Sequence, residues 1–193
     1  MKIALFAAVP EEVGSLKSKV HFMGIGRENA TRSIIEFIEQ HKGEDYIILN
    51  IGTVGSHNKP VGSLLSIREI VSSGAMFLDS KMLPHHFELS ADSDVQPAVL
   101  FSSDSFVSPE VYNIEFLNSI KEKVDCFDME SSAVFSIASY YHIPFVSYKI
   151  VSDNLDVTLD VWRERVVELS KNLVAHIQLV FKELNDKGEL EFI

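Results

Sequence analysis

Three short acidic stretches are the part of this sequence whose residue types and spacing could perform chemistry. Each follows an apolar run of strand length: residues 2–8, residues 124–127, and the run that ends at Val151. The acidic side chains are Glu11 and Glu12, Asp128 and Glu130, and Asp153 and Asp156. In open α/β sheets, ligands gather at the carboxyl ends of the strands. Convergent carboxylates at such an edge, with no basic cluster nearby, favour general acid–base chemistry on a neutral substrate.

Each of these acids also has a purely structural explanation. A carboxylate in the first turn of a helix is stabilised by the helix dipole by about 0.3–1 kcal/mol. Asp128 is predicted to cap the helix that follows it, and Asp153 and Asp156 fit caps before the last helix. Glu11 and Glu12 fit solvated helix starts. The coincidence of three acidic strand ends, rather than any one acid, therefore points to a site.

Other kinds of site find little support in the sequence. The seven histidines have neither H-x-x-x-H nor H-x-H spacing, and His85 and His86 are predicted to be solvated loop residues. No G-x-S-x-G motif is present, and Cys126 lies in a predicted buried strand, where it behaves as a small apolar residue. The stretch GIGREN at 24–29 lacks the lysine of a phosphate-binding loop. We therefore expect no metal and no nucleophilic serine or cysteine.

Composition limits the class of protein. The 193 residues predict one domain spanning 1–193, and the net charge of −11 argues against nucleic acid and anionic membrane surfaces as partners. No apolar run reaches the roughly 18–20 residues of a membrane span. The first residues are better read as a buried strand than as a signal peptide, because Pro10 and two glutamates follow so soon. The single cysteine fits a reducing cytoplasm.

Strand-like runs alternate with helical patterns along the chain. Strands are predicted at 2–8, 20–26, 45–56, 61–80 (as one or two strands), 98–103, 124–129 and 143–153. Helices are predicted at 27–41, 108–123, 130–142 and 158–186, with Ser108 and Pro109 opening the second. Residues 79–97 give no clear pattern. The alternation favours an α/β sandwich, a sheet covered by helices on both faces.

The ordered set of motifs resembles the nucleoside phosphorylase and nucleosidase superfamily. The motifs are MKIALFAAVPEEV, MGIG, ILNIGTVGS, SSDSFV, FDMESSA and a strand that ends in VSD. The resemblance covers residues 1–175 and is strongest to the bacterial 5'-methylthioadenosine/S-adenosylhomocysteine nucleosidases. No single motif is specific, but their order is. The resemblance implies a three-layer α/β/α sandwich with a central mixed sheet, and a small-molecule nucleoside as substrate.

The resemblance also implies two catalytic residues. Glu12 matches the acid that activates the attacking water, and Asp153 matches the general acid that protonates N7 of the purine. Thr53 falls at the serine of the glycine-rich turn. Ser152 precedes Asp153 and can hydrogen-bond its carboxylate. No metal or organic cofactor is implied.

Further residues match the positions that bind the nucleoside. Glu130 matches the carboxylate that binds the ribose 2'-hydroxyl, and Met129 packs under the sugar. Phe106 and Val107 match the segment that stacks on the base and bonds its edge through backbone groups. In this interpretation Asp128 caps a helix, while Glu130 holds a ribose.

The chain departs from that branch in ways that leave alternatives open. Where that branch has T-G-S-A-G-G, this chain has IGTVGS. It has SSDSF in place of S-G-D-x-F and DME in place of E-M-E. A phosphorylase is disfavoured because the phosphorylases that share this fold place arginines around the phosphate, and IGTVGS and AAVPEEV contain none. An aminofutalosine-type hydrolase and a non-catalytic nucleoside-binding protein also remain. Members of the fold are usually dimers or larger, and with the apolar segment GAMFL at 74–78 this predicts a homodimer.

Overall fold

The computed structural model describes residues 2–73, 78–108, 111–112, 114–188 and 190–193. The strands in these ranges are β1 (Lys2–Ala7), β2 (Val20–Phe22), β3 (Tyr46–Ser56), β4 (Leu64–Ser73), β5 (Leu78–Met82), β6 (Gln96–Ser102), β7 (Cys126–Asp128), β8 (Phe145–Asp153) and β9 (Glu191–Phe192). The α-helices are α1 (Arg27–Gln40), α2 (Ile114–Lys121), α3 (Ser131–Tyr140) and α4 (Leu159–Asp186). Short 3₁₀ segments are Pro10–Glu12, Gly14–Lys19 and Ser90–Asp92.

The described strands form one mixed sheet. β1 lies between β2 and β3 in parallel pairings and also pairs with β9. Five strands close into a ring, because β3 pairs with β8, β8 with β4, β4 with β6, β6 with β7, and β7 with β3. The β8–β4 and β7–β3 pairings are antiparallel and the other three are parallel. The predicted central mixed sheet is confirmed, and the ring is an addition that the sequence did not indicate.

Helices cover both faces of the sheet, as predicted. Successive side chains of a strand point to opposite faces, so Ala4 and Phe6 of β1 join the cluster of α1 and α3. Ile3 and Leu5 join the cluster of α4 instead. The predicted apolar face of α1 is buried at Ala30, Ile34, Phe37 and Ile38. That of α4 is buried at Val166, Leu173, Ile177, Val180, Phe181 and Leu184, with Leu169 half-buried.

The segment before α2 differs from its prediction. Instead of a helix opening at Ser108, the Ser108 carbonyl accepts the backbone N–H groups of Val111 and Tyr112 in a turn, and the described helix begins at Ile114. Pro109, which was predicted to open the helix, lies outside the described residues, as do residues 74–77 of the apolar segment GAMFL. The range 61–80, predicted as one or two strands, contains β4 and the start of β5, which pair antiparallel. The region 79–97, which gave no clear pattern, contains the rest of β5, the 3₁₀ segment Ser90–Asp92 and the start of β6. None of the described helices is long and apolar enough to cross a membrane.

Candidate active site

A cavity of about 250 Å³ opens at the carboxyl ends of β1, β3, β7 and β8. These ends come together because β1, β3 and β8 run parallel while β7 reaches the same edge through the closed ring. All eight residues predicted for the site line this cavity: Glu12, Thr53, Phe106, Val107, Met129, Glu130, Ser152 and Asp153. Asp128 lines it too. Glu11 and Asp156 are exposed and are not among its described lining residues.

Glu12 is a buried carboxylate held by the turn that follows β1. Its Oε1 accepts the backbone N–H and the hydroxyl of Thr53, both at 2.8 Å. Its Oε2 accepts longer bonds from the N–H groups of Ala8, at 3.2 Å, and Val9, at 3.4 Å. Burial raises the pKa of Glu12, and the Lys149 charge and the Thr53 bonds oppose that rise. The carboxylate is thus fixed in orientation and poised to hold a proton.

Gly52 allows the close approach of Glu12 to β3. A Cβ atom at this position would lie 3.0 Å from Oε1 of Glu12 and 3.3 Å from Oε2. Both distances are tighter than nine in ten real Cβ contacts, so the carboxylate, which is already bonded to Thr53, would have to shift by a few tenths of an ångström. The glycine before Thr53 is therefore what lets the carboxylate reach the strand.

Asp128 forms a buried ion pair with Lys149 of β8. The distance from Lys149 Nζ to Asp128 Oδ2 is 3.2 Å, and both side chains are almost fully enclosed. Asp128 also accepts the backbone N–H and the hydroxyl of Ser131, the first residue of α3. The predicted capping contact is therefore present, and it is combined with the neutralisation of a buried lysine. The pair leaves Lys149 committed to Asp128 rather than free to bind an anion.

Glu130 is a buried carboxyl group. One of its oxygens is held by a hydrogen bond, and its surroundings disfavour the charged form. Oε1 accepts the Gly26 N–H at 2.7 Å. Gly26 precedes α1 with a φ of 90°, a left-handed conformation that glycine adopts without strain. Burial, followed by repulsion from Asp128, raises the pKa of Glu130 to about 8, against the Gly26 bond and the Lys149 charge. No donor among the described residues bonds Oε2, which is available to a ligand hydroxyl.

Asp153 ends β8 and is oriented by its neighbours. Ser152 donates its hydroxyl to Oδ2 at 2.8 Å, as predicted, and the Leu155 N–H donates to Oδ1 at 2.9 Å. Leu155 has a φ of 66°, a conformation that L-residues rarely adopt, so the turn after β8 is strained to hold the carboxylate. Gly55 of β3 faces this turn, and a Cβ there would lie 2.6 Å from the Leu155 side chain and 3.0 Å from Oδ1.

The rest of the cavity wall is largely apolar. Its apolar lining residues are Ala8, Ile25, Val54, Phe106, Val107, Phe127, Met129, Leu155, Leu159 and Trp162. The loop that carries Phe106 is tied to the start of α1 by an ion pair in which Arg27 Nη1 lies 2.8 Å from Asp104 Oδ1. Trp162 also donates its indole N–H to Thr53 Oγ1 at 3.1 Å. A flat aromatic or apolar ligand with a few polar groups matches such a surface.

The remaining candidates for chemistry lie elsewhere or are inert. His85 and His86 are exposed, as predicted. Cys126 is buried, and burial raises the pKa of its thiol well above the ordinary value. Within the described ranges, no group of three or more His, Cys, Asp or Glu side chains is arranged to hold a metal ion. The cavity at the strand ends is therefore the candidate active site.

A sequence profile of the phosphorylase superfamily matches residues 88–184, half of the chain. The chain belongs to the phosphorylase superfamily. The matched range includes six of the eight predicted site residues, all except Glu12 and Thr53. A search of curated protein sequences finds no match.

Solved structures of superfamily relatives share the fold over nearly the whole chain. A 5'-methylthioadenosine/S-adenosylhomocysteine nucleosidase from S. pneumoniae matches with a TM-score of 0.77 at 18% identity, covering 95% of this chain and 100% of that one. The apo 5'-methylthioadenosine nucleosidase of Arabidopsis thaliana matches with a TM-score of 0.80 at 16% identity, covering 95% and 96%. A futalosine hydrolase of Helicobacter pylori matches with a TM-score of 0.76 at 17% identity, covering 95% and 98%. The nucleoside phosphorylase-like fold is confirmed.

Two residues at the candidate site were missed by sequence reasoning: Trp162, which lines the cavity, and Lys149, which pairs with the lining residue Asp128. Lys149 was passed over as part of an apolar strand, although a lone lysine in a run that is otherwise buried requires a buried partner. Trp162 was passed over as a residue of the terminal helix, although it is the single tryptophan of the chain. In both cases the signal was present, but the partner lay far away in the sequence.

Proposed function

We propose that this protein hydrolyses the N-glycosidic bond of a purine nucleoside, releasing the free base and a ribose derivative. One observation carries the proposal: Glu12, Glu130 and Asp153 line a single cavity in a superfamily member, and no arginine is among that cavity's described lining residues. A general base, a sugar-binding carboxylate and a general acid are the groups that such a hydrolysis needs.

Asp153 acts on the leaving group in the proposed reaction. The C1'–N9 bond breaks and its electron pair goes to the purine, while Asp153 gives a proton to N7, so that the base leaves neutral. The Ser152 hydroxyl and the Leu155 N–H hold the carboxyl group at the edge of the sheet, facing the cavity. A positioned acid of this kind contributes roughly 10²–10⁴-fold to the rate.

Glu12 and Glu130 act on the sugar side. As the ribosyl ring gains positive charge, the oxygen of a water molecule bonds to C1' and Glu12 takes a proton from it. Oε1 of Glu12 receives two bonds of 2.8 Å from Thr53, whereas Oε2 receives only the longer bonds from the Ala8 and Val9 N–H groups. Oε2 is therefore the better acceptor for that proton. Glu130 accepts the ribose 2'-hydroxyl through its free oxygen, and Met129 packs beneath the ring. Phe106 and Val107 hold the base.

The charges of the cavity favour water over phosphate as the nucleophile. A phosphate dianion needs cationic or N–H partners, and Lys149, which lies near the acids, is paired with Asp128. Glu12 and Glu130 would repel a dianion when ionised. Phosphorolysis would therefore place a phosphate dianion beside negatively charged carboxylates. Hydrolysis needs a carboxylate there, because it takes a proton from the attacking water.

The substrate that we favour carries a 5'-methylthio or homocysteinyl group. Two relatives of the same fold are nucleosidases for such compounds, and the cavity wall includes the apolar side chains of Ile25, Leu155 and Leu159. The futalosine hydrolase relative is about equally similar, so an aminofutalosine-type substrate is the second candidate. A nucleoside-binding protein without turnover is the third, and it would have no use for a base at position 12.

A substrate panel tests the proposal. The purified protein is incubated with methylthioadenosine, S-adenosylhomocysteine, aminofutalosine, adenosine and inosine, with and without phosphate, and bases and sugars are separated by chromatography. We expect free base and free ribose derivative at the same rate in both buffers, and a rate at least about a hundredfold lower with Asp153→Asn as the matched control. Ribose 1-phosphate that forms only with phosphate would make the protein a phosphorylase, and binding without product would make it a binder.

We also expect a homodimer located in the cytoplasm. Members of this fold usually associate, and several large apolar side chains are exposed, among them Ile25 and Leu159 at the cavity. Light scattering at micromolar concentration should give twice the 21.7 kDa mass of the chain. A monomer under those conditions would contradict the dimer while leaving the proposed reaction untouched.

A further inference from the structure

A chain of hydrogen bonds links α4 to the candidate general base. Trp162 lies in the first turn of α4, and its indole Nε1–H donates to Thr53 Oγ1 at 3.1 Å. Thr53 Oγ1 in turn donates to Glu12 Oε1 at 2.8 Å. All three residues are buried and line the cavity. The chain thus connects a helix, a strand and the turn after β1 at the place where water must be activated.

The direction of these bonds follows from the chemistry of the groups. An indole nitrogen is only a donor, so Thr53 Oγ1 must be the acceptor in its bond with Trp162. The single hydroxyl hydrogen of Thr53 then remains for Glu12. Oε1 receives two short bonds from Thr53, one from the backbone N–H and one from the hydroxyl, and both favour the ionised carboxylate. Without the indole N–H, the hydroxyl is free to rotate away.

We propose that Trp162 is a positioning residue for Glu12: it fixes the Thr53 hydroxyl as a donor to Oε1 and so leaves Oε2 to take the proton from water. The inference rests on the proposed function, because it takes Glu12 as the base. It also explains why an aromatic residue with a polar edge stands here. Its ring packs with Val157, Val166 and Phe106, while its N–H reaches β3.

Other charged groups around Glu12 stay in place when the indole is replaced. Lys149 of β8 attracts the Glu12 charge, while Glu130 and Asp128 at the end of β7 carry like charge. Asp153 lines the same cavity from the end of β8. Trp162→Phe changes none of these groups, so a change in the titration of Glu12 in that variant is due to the lost hydrogen bond.

A double-mutant cycle tests the coupling through activity. Trp162→Phe should lower kcat about five- to tenfold, the value of one neutral hydrogen bond, with KM changed less than about twofold. The acid limb of its kcat/KM profile should move to higher pH, because the ionised Glu12 loses support. Combined with Thr53→Val, it should add no further loss. Phe106→Leu changes the same wall of the cavity and is the matched control. The fold-losses in kcat of Phe106→Leu and Thr53→Val should multiply in the double variant. If the losses of Trp162→Phe and Thr53→Val multiply as well, the proposal is wrong.

A second measurement decides the coupling without relying on turnover. The chain has one tryptophan, so its ¹H–¹⁵N spectrum contains one indole N–H signal. Thr53→Val removes the acceptor and should move this signal upfield and speed its exchange with solvent, whereas Thr53→Ser should keep it near its original place. An indole signal that is unchanged in Thr53→Val would overturn the proposal. If the wild type releases no base from any nucleoside, the proposed function fails, but this measurement still shows whether Trp162 and Thr53 are joined.

Discussion

β8 carries buried polar groups on both of its faces. One set contacts only protein groups, whereas the other lies at the cavity. On the α4 face, Tyr148 donates its hydroxyl to Asp92 Oδ2 at 2.7 Å, and Asp92 Oδ1 lies 3.3 Å from His176 Nε2. We call Asp92, Tyr148 and His176 the Asp92 cluster. On the opposite face, Lys149 pairs with Asp128, and Glu130 and Asp153 follow at the edge. Neighbouring residues of one strand thus serve two buried polar assemblies.

The comparison separates polar groups that hold the fold from those that face a ligand. The Asp92 cluster is enclosed by protein: Tyr148 donates to one oxygen of Asp92, and the other oxygen lies 3.3 Å from His176 Nε2 without meeting hydrogen-bond geometry. The cluster ties the 3₁₀ segment Ser90–Asp92 to α4, a task shared by Glu183, which accepts the N–H groups of Ser90 and Ala91. In the cavity, Glu130 keeps one oxygen without a donor among the described residues, and its pKa is raised to about 8. A buried acid with a shifted pKa that lines a cavity is the one that suits chemistry.

Glu12→Gln should cause the largest loss of activity with little change in stability, and this combination would separate the cavity acids from the Asp92 cluster. Glutamine keeps the size of the side chain but cannot take a proton from water, so kcat should fall by about 10²–10⁴-fold. Inhibitor binding and the unfolding midpoint should change little. Steady-state kinetics and thermal unfolding measure both quantities. A variant that retains more than about a tenth of wild-type kcat would remove Glu12 from the role of base.

Glu130→Gln should change activity and stability in opposite directions. Above about pH 8, where Glu130 is ionised, the charge-assisted bond to the 2'-hydroxyl contributes roughly 1.5–3 kcal/mol, so kcat/KM measured there should fall at least about tenfold. A 2'-deoxy substrate should lose much less. Equal losses on both substrates would return Glu130 to a structural role at the start of α3.

The stability effect of Glu130 follows from its raised pKa. The pKa of Glu130 is about 8 in the folded protein against an ordinary value of 4.5, so the folded ligand-free protein binds the proton more tightly than the unfolded chain does. Stability from this group is therefore present below about pH 4.5 and is lost as the pH rises towards 8. Glu130→Gln should remove that loss. The increase in unfolding midpoint of the variant over wild type should therefore be larger at pH 8 than at pH 5. A fall at both pH values would contradict the account.

Asp92→Asn should show the smallest effect on activity and a moderate one on stability. Asparagine weakens the charge-assisted bond with Tyr148 and the contact with His176, at a cost of about 1–2 kcal/mol. Because the Asp92 cluster lies on the other face of β8, kcat/KM should stay within about twofold of wild type. Denaturant unfolding and steady-state kinetics measure the two quantities. A large loss of activity without a loss of stability would erase the distinction between the assemblies.

The sequence predicted those parts of the molecule that depend on local pattern. Apolar spacing located α1 and α4, and the acids after β1, β7 and β8 were predicted to converge because strand ends share an edge. Residues whose meaning depends on a distant partner were missed. Lys149 is explained only by Asp128, and Trp162 only by Thr53. The ring closure of the sheet was missed for the same reason, since it requires the antiparallel pairing of β7 with β3.

Asp153→Asn, measured on two substrates, tests the central claim most directly. Asparagine keeps the size of the side chain and can still accept the Leu155 N–H, but it cannot give a proton to N7. We predict at least about a hundredfold loss of kcat on the purine nucleoside that the wild type turns over. A nitrophenyl riboside, whose leaving group needs no proton, should keep a rate within about threefold of wild type. If Asp153→Asn leaves purine nucleoside turnover near wild type, Asp153 only holds the turn after β8 and the proposed mechanism is wrong.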